Sequence, residues 1–496
     1  MHTIIGSLLT VVVITFSGTL PAADPDAHDV SKWLARTVEA EVPGLAVVVT
    51  KGEDVDVSTG AGDANGVLLG PTTPFRIESL SKSFTATAVM QLVEAGDVGL
   101  DQPIRRYLPD FKLNDPRAEG VTVRHVLNQS SGITDLTLGF DQYAEGPQTL
   151  AFAVRQLRST KLAHEPGAAW SYSNPNYWLA ARLVEVVSGE PFSDYLEANI
   201  FEPLGMHDTS HRDVYDASAA VRGHAFVFGR TVGIDPPRSF VGGSGGVIST
   251  AADMSRWLRF QQGANLPGTD ESILGQAPRD EMHRRQAPDG GLYALGWYSG
   301  PPASGGVERV SHSGVGAGVN AYQGLFPDGV GVAVLQTSAV PDAYVTAASL
   351  YDWSIGEPLA EPPAPPGPWT DVLVTLIASL VVGLAMRGVA RSQRWAWRGR
   401  LRWRLARLAP LIGIVFLMMW IPSIGSRIVG RTATWVVLLS AAPVLVAAVW
   451  TVAAAVAVLV LVRLARLLGC DSRFAFTARC LPREDSPTRS GRTGRA

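Results

Sequence analysis

The feature that most constrains this chain is a seam at Glu361–Pro368, where five prolines fall within eight residues. No helix or sheet interior accepts such a run, so it acts as a stiff, extended spacer between two different objects. Beyond it come three apolar runs, Trp369–Met386, Leu408–Ile424 and Thr434–Val462, of 18, 17 and 29 residues. A bilayer core about 30 Å thick takes roughly 20 residues of helix, so the third run can tilt but cannot cross twice. Between the first two runs, Arg387–Arg407 holds eight arginines, three tryptophans and no acid; eight more arginines lie in Arg463–Ala496. Only Arg427 and Arg431 stand between the second and third runs. By the positive-inside rule the Arg-rich loop and the tail (469–496) are expected in the cytoplasm and residues 24–368 outside it. The expected order is an exported body (24–360), a linker (361–368) and three membrane helices (369–468).

The net charge of −3 hides the same division: residues 1–368 carry 24 basic and 41 acidic residues, a balance of −17. Residues 369–496 carry 18 arginines and four acids, a balance of +14. An acidic body argues against nucleic acid as a partner, and the Arg/Trp loop enters apolar spans at both ends, as a membrane-interface segment does. The lipid bilayer is the expected partner of the tail. Both cysteines, Cys470 and Cys480, lie there, so the body has no disulfide, thiol nucleophile or CxxC metal framework. The apolar N-terminus ending in Leu20-Pro-Ala-Ala23 has the shape of a signal peptide (1–23). The first basic residue is Lys32, so an uncleaved anchor is the alternative; either one exports the body.

Within the body, residues 44–61 predict a buried strand, a turn near Lys51-Gly52 and a second strand, and Phe84–Ala95 predicts a helix with Phe84, Ala88, Val89, Leu92 and Val93 on one face. Further helices are predicted over Leu179–Val187, Phe192–Phe201 and Ala251–Phe260, the last capped by Ser249 or Thr250. Val307–His312, Gly318–Phe326 and Gly329–Gln336 predict successive strands. Strands at both ends around a helical middle predict a mixed α/β fold, with one sheet built from the two chain ends and a second, all-helical lobe.

Three short motifs each occur once. Of five lysines only Lys82 follows a serine by three (Ser79-Leu-Ser-Lys82); of eleven tyrosines only Tyr172 begins Tyr-x-Asn (Tyr172-Ser-Asn174). Of nine histidines only His312 begins His-x-Gly (His312-Ser313-Gly314). A serine hydroxyl is a poor nucleophile until a base takes its proton. On a helix, i and i+3 side chains lie one above the other, so Lys82 falls beside Ser79. At the start of that helix the Ser79 N–H is an unpaired donor. A partly dehydrated lysine can act as the base, and a tyrosine next to an ammonium is biased toward phenolate, so Tyr172 is an equal candidate. Asn174 can hold Lys82 on one side and a substrate amide on the other.

The residues around these motifs make a resemblance specific. Phe75-Arg-Ile-Glu-Ser79-Leu-Ser-Lys82, Glu94-Ala-Gly-Asp-Val-Gly-Leu-Asp101 and Tyr107-Leu-Pro109 resemble the serine beta-lactamase and penicillin-binding protein superfamily, in its class C-like branch of esterases and D-amino-acid peptidases. His125–Gly132, Pro203–Thr209 and Gly242–Thr250 are similar too, and the likeness covers about residues 30–355. It implies a beta-lactamase-like antiparallel sheet flanked by helices plus a helical lobe, with the site between them. It also implies Ser79 as the acylated nucleophile, Lys82 and Tyr172 as the base system, and Asn174 as a substrate and lysine contact. His312, Ser313 and Gly314 would line the edge strand, and the N–H groups of Ser79 and Val315 would form the oxyanion hole. No cofactor or metal is implied.

Members that bind a substrate carboxylate usually have lysine where this chain has His312. An imidazole with an ordinary pKa near 6.5 is mostly neutral at pH 7. That favours esterase, amidase or aminopeptidase chemistry on a small-molecule or peptide substrate, cell-wall material included, over beta-lactamase or D-Ala-D-Ala carboxypeptidase activity. Arg284 or Arg285 is the alternative carboxylate anchor. A rival nucleophile, Ser244 in Gly242-Gly-Ser-Gly-Gly246, matches an α/β-hydrolase elbow, but the next helix starts several residues later. A glycine-rich turn lining the cleft is the expectation there. His207 and His211 are expected to be solvated, with no metal. The rival to an enzyme is a sensor acylated once on Ser79; a degenerate fold that only binds is the third reading.

Overall fold

The structure is a computed structural model that describes residues 27–477 apart from 41, 64–65, 67, 139–147, 267–272, 302–305, 363–366, 398–399 and 430–433. The expected signal peptide, Cys480 and the end of the tail lie outside the described residues. The strands are β1 (Gly44–Lys51), β2 (Asp54–Gly62), β3 (Phe75–Arg76), β4 (Ser210–His211), β5 (Gly223–Val227) and β6 (Arg230–Ile234). They continue as β7 (Val247–Ser249), β8 (Tyr298–Gly300), β9 (Arg309–Gly316), β10 (Val319–Leu325) and β11 (Val330–Gln336). The main antiparallel sheet has the order β2-β1-β11-β10-β9-β8, so the two chain ends of the body meet where β1 pairs with β11.

This sheet is covered on both faces, which is why β1 reads as a continuous apolar run rather than alternating. Leu45, Val47 and Val49 pack with Val332 and Val334 against Trp33 of the helix Ala27–Ala40 and Leu350 of the helix Ala343–Ser354. Ala46, Val48, Ala333 and Leu335 face the larger core, which contains Phe84, Trp257 and Leu258. Residues i and i+2 of a strand share a face, and these two sets follow that period.

The helix Ser81–Glu94 departs from its expected single apolar face: nearly all of it is buried, because it runs between the sheet and the second lobe. Phe84 stacks on Trp257 with ring centroids 3.7 Å apart. Its buried hydroxyls return to the preceding turn, Ser83 Oγ donating to Leu80 O (2.7 Å) and Thr87 Oγ1 to Ser83 O (3.0 Å). A hydroxyl satisfied in this way is tolerated at a core position. The helices Asn174–Ser188 and Ala251–Gln261 form as expected, and Thr250 caps the second by accepting from Asp253 N at 3.1 Å. The middle of the body is not helix alone: it also carries the sheet β3-β7-β4 and the hairpin β5–β6.

After the linker, two helices among the described residues are long and apolar enough to cross a membrane, Trp369–Ala390 and Pro443–Leu468, the latter continuing to Thr477. The second expected span, 408–424, is broken: Leu401–Met419 and Ile421–Ile428 meet at 56°. The third, 434–462, is broken at Ala442 into Trp435–Ala441 and the helix from Pro443. Pro443 opens the helix after the second break and disfavours helical geometry at Ala442 before it, while Pro422, the second residue of the helix Ile421–Val429, has no N–H with which to continue the preceding helix. Ala378 packs with Val452 and Val456, and Gly388 lies against Leu459 and Arg463, so the two long helices run in the same direction.

Candidate active site

The short 3-10 turn Glu78–Leu80 leads directly into the helix Ser81–Glu94, which puts Ser79 at the positive end of a helix dipole. Ser81 pins the turn: its Oγ donates to Glu78 O (2.6 Å) and accepts from Val247 N (3.1 Å). Lys82 is fully buried and its Nζ lies 3.0 Å from Ser79 Oγ. The same Nζ donates to Ser244 O at 2.5 Å and lies 4.9 Å from the centre of the Tyr172 ring. The expected serine, lysine and tyrosine are therefore together.

Tyr172 and Asn174 come from the other lobe, on the loop that starts the helix Asn174–Ser188. The segment His125–Gly132 holds this loop. Gln129, at φ 63°, accepts at Oε1 from Ser173 N (3.0 Å) and Asn176 Nδ2 (2.6 Å), while its carbonyl takes Ser171 N (2.9 Å). Ser173 Oγ donates to Asp135 Oδ1 at 2.9 Å. Asn174 lines the cleft, and its Oδ1 is buried with no hydrogen-bond partner among the described residues, leaving an acceptor for a substrate N–H.

His312, Ser313 and Val315 form the opposite wall of a cleft of about 550 Å³. In strand order β9 is not the edge, but β8 pairs only with Arg309–Ser311, so the outer side of β9 is open from His312 onward. Gly314 meets the nucleophile turn backbone to backbone: a Cβ there would stand 2.4 Å from Ile77 O and 3.1 Å from Ser79 N. Only glycine permits that approach. His312 itself is buried and held from within, Nδ1 lying 2.7 Å from Ser313 O and Nε2 3.0 Å from Tyr293 Oη. One tautomer satisfies both contacts, with Nδ1–H donating and Nε2 accepting from the tyrosine hydroxyl. The ring lines the cleft without aiming a free cation into it. Among the described residues no lysine or arginine lines the cleft. Arg284 is an exposed ion-pair partner of Glu281, Arg285 is also exposed, and neither lines the cleft.

Ser244 sits in the glycine-rich turn the sequence suggests, and it lines the cleft. Its Oγ is shared between Trp178 Nε1 and Val241 O, each at 3.2 Å, and its carbonyl holds Lys82. His207 is exposed as expected, but His211 is not solvated: it sits on β4, and burial pushes its pKa down to about 3. No metal-holding group of three His, Cys, Asp or Glu exists among the described residues.

Sequence reasoning missed Glu78. It precedes Ser79 at φ 52°, is buried, and its carboxylate meets the Tyr215 hydroxyl and lies 3.6 Å from Arg76 Nε. Burial raises its pKa against the opposing pull of Arg76. No motif marks it: Tyr215 is far away in sequence, and Arg76 two residues earlier is an ordinary strand neighbour.

The family model described as Beta-lactamase matches residues 30–357. Protein flp of Staphylococcus aureus (strain COL) is 26% identical over 279 residues, 55% of this chain and 54% of its own length, so the match spans about half of that relative. Penicillin-binding protein 4 of Amycolatopsis lactamdurans is 29% identical over 368 residues, 69% of this chain and 94% of its own. Among solved structures, the octameric penicillin-binding protein homologue from Pyrococcus abyssi superposes with a TM-score of 0.56 at 27% identity, covering 67% of this chain and 78% of its own. The D-amino acid amidase from Ochrobactrum anthropi SV3, complexed with L-phenylalanine amide, gives 0.53 at 26% identity, covering 64% and 93%.

Proposed function

The chain belongs to the beta-lactamase family, and from that premise we propose that it is a membrane-anchored, extracytoplasmic serine hydrolase that cleaves a neutral ester or amide through an acyl-enzyme on Ser79. The observation that carries the reading is the 3.0 Å contact between buried Lys82 Nζ and Ser79 Oγ at the floor of a cleft. In acylation the Ser79 Oγ–C bond forms, the ester C–O or amide C–N bond breaks, and the serine proton passes through Lys82 and Tyr172 to the leaving group. Water then releases the acid by the reverse proton path. The N–H groups of Ser79 and Val315 stabilise the oxyanion, and Asn174 Oδ1 receives a substrate N–H. The likeness to a D-amino acid amidase and the absence of lysine and arginine from the cleft wall among the described residues both favour a neutral substrate over a carboxylate-bearing one.

Three crossings also fit. Trp369–Ala390 begins beside the body, where the Asp371 carboxylate accepts from Phe228 N at 2.7 Å. The residues just before Pro443 line the cleft, so the second long helix begins on the same side. Two parallel helices starting on one side require the bent pair Leu401–Ile428 to cross back between them. That supports the topology with the Arg-rich segments in the cytoplasm.

The test is turnover of esters and amides with labelling by a fluorophosphonate. Ser79→Ala should lower kcat by about 10³-fold or more and abolish labelling; Ser244→Ala should cost far less. Labelling of Ser244 with Ser79 unlabelled would refute the mechanism. A single burst that stops after one equivalent would make the protein a sensor rather than an enzyme.

A further inference from the structure

The break in the third apolar run has a consequence for the substrate. The seven residues after its opening Thr434 form a separate helix, Trp435–Ala441, capped by Thr434 Oγ1 accepting from Val437 N at 3.3 Å. Three of them, Val437, Ser440 and Ala441, line the same cleft as Ser79, Tyr172 and His312. The membrane bundle is tied to the body beside it, through the bond from Phe228 N to Asp371 and through packing of the Pro443–Thr477 helix on β5. One wall of the catalytic cleft is thus built by the element that directly precedes a membrane span. The cleft's own apolar groups include Phe240, Val241 and Val315, and Val315 is 63% exposed although it flanks the nucleophile. An exposed apolar group in a cleft that continues into an apolar bundle marks a site for apolar ligand surface.

We propose that this cleft takes esters or amides carrying a long acyl or alkyl chain from the outer surface of the bilayer. The chain lies along Val241 and Val315 under a roof of Val437 and Ala441, and the scissile carbonyl sits at Ser79. This rests on the hydrolase reading and names its substrate class. The bonds made and broken are those of the acyl transfer above.

The experiment uses the full chain in lipid nanodiscs. Two soluble ester series, kept below their aggregation concentrations, lengthen either the acyl group (acetyl to octanoyl nitrophenyl esters) or the alcohol (methyl to octyl acetates). Burying a methylene is worth about three- to fourfold, so kcat/KM in at least one series should rise roughly 30-fold or more from four to eight carbons. Val437→Asp and Ala441→Asp should reduce that ratio to about fivefold or less. Labelling of Ser79 by a small fluorophosphonate certifies the fold of each variant, and Val437→Thr or Ala441→Ser replaces any aspartate variant that fails to label. A sixteen-carbon ester dissolved in the disc bilayer should be consumed by enzyme in the same disc. Turnover of acetyl esters with both series flat overturns this inference and leaves the hydrolase standing. So does a steep series that the roof variants do not change, or a bilayer ester left intact. No turnover and no labelling of Ser79 in the wild type is the separate failure of the hydrolase reading.

Discussion

Gly314→Ala isolates the contact between β9 and the nucleophile turn. The added Cβ would sit 2.4 Å from Ile77 O, 3.0 Å from Glu78 Cβ and 3.1 Å from Ser79 N. These are backbone atoms and a buried side chain's Cβ, none of which is the far end of a flexible group. Relief to ordinary contact at about 3.5 Å therefore requires strand and turn to separate by roughly 1 Å. That separation moves the two proposed oxyanion donors, on Ser79 and Val315, apart. A 1 Å misplacement costs about 10²-fold, and loss of an oxyanion donor about 10²–10³-fold, so kcat/KM should fall by about 10²–10³-fold, or ~2.7–4 kcal/mol of barrier. Overpacking should also lower stability by about 1–3 kcal/mol, which thermal unfolding in detergent measures separately. Gly120→Ala, where a Cβ meets nothing within 4 Å, is the control and should leave both quantities unchanged. If Gly314→Ala retains kcat/KM within threefold of wild type, the close approach is not part of the catalytic geometry.

With no cationic residue in the cleft wall, a methyl-capped substrate should exceed its free-acid partner by roughly 10- to 100-fold in kcat/KM at pH 7.5, the value of one charge-assisted hydrogen bond; a wild-type preference for the acid would refute this. His312→Lys should narrow that gap. Acidification acts on buried His211 and partly buried Asp213, 4.0 Å apart, in opposite directions. The His211 pKa is lowered to about 3, so between pH 7 and 5 the unfolded chain takes up more protons there and stability falls by about 2 kcal/mol. Asp213 is raised by burial to about 6, so over the same range the folded chain takes up more and regains about 1 kcal/mol. His211→Asn should thus remove about 2 kcal/mol of the stability lost between pH 7 and 5, and Asp213→Asn should steepen the loss; unchanged slopes would show that the pair does not titrate this way. A reporter fused after Ala496 should be active only in the cytoplasm, and external protease should spare it; activity outside would overturn the three-crossing topology.

Much of this architecture was legible in the sequence, because it depends on local pattern. The Pro-rich seam, the apolar runs, the buried strands around Val47 and Val332, and the serine–lysine spacing each arise from neighbours a few residues apart. Burial period and helix geometry act over just that range. What only the tertiary structure decided are meetings between distant segments: Ser244 O with Lys82 Nζ, Tyr293 with His312, Tyr215 with Glu78, and Gln129 beneath the Tyr172 loop. The same limit hid the burial of His211 and the short strands in the middle of the body, and it hid the seven-residue helix within the third apolar run that lines the cleft. Residues 434–462 read as one span because hydropathy records how apolar a residue is. Whether that apolar surface is buried in lipid or against Ser79's cleft depends on which surface the folded chain brings to it.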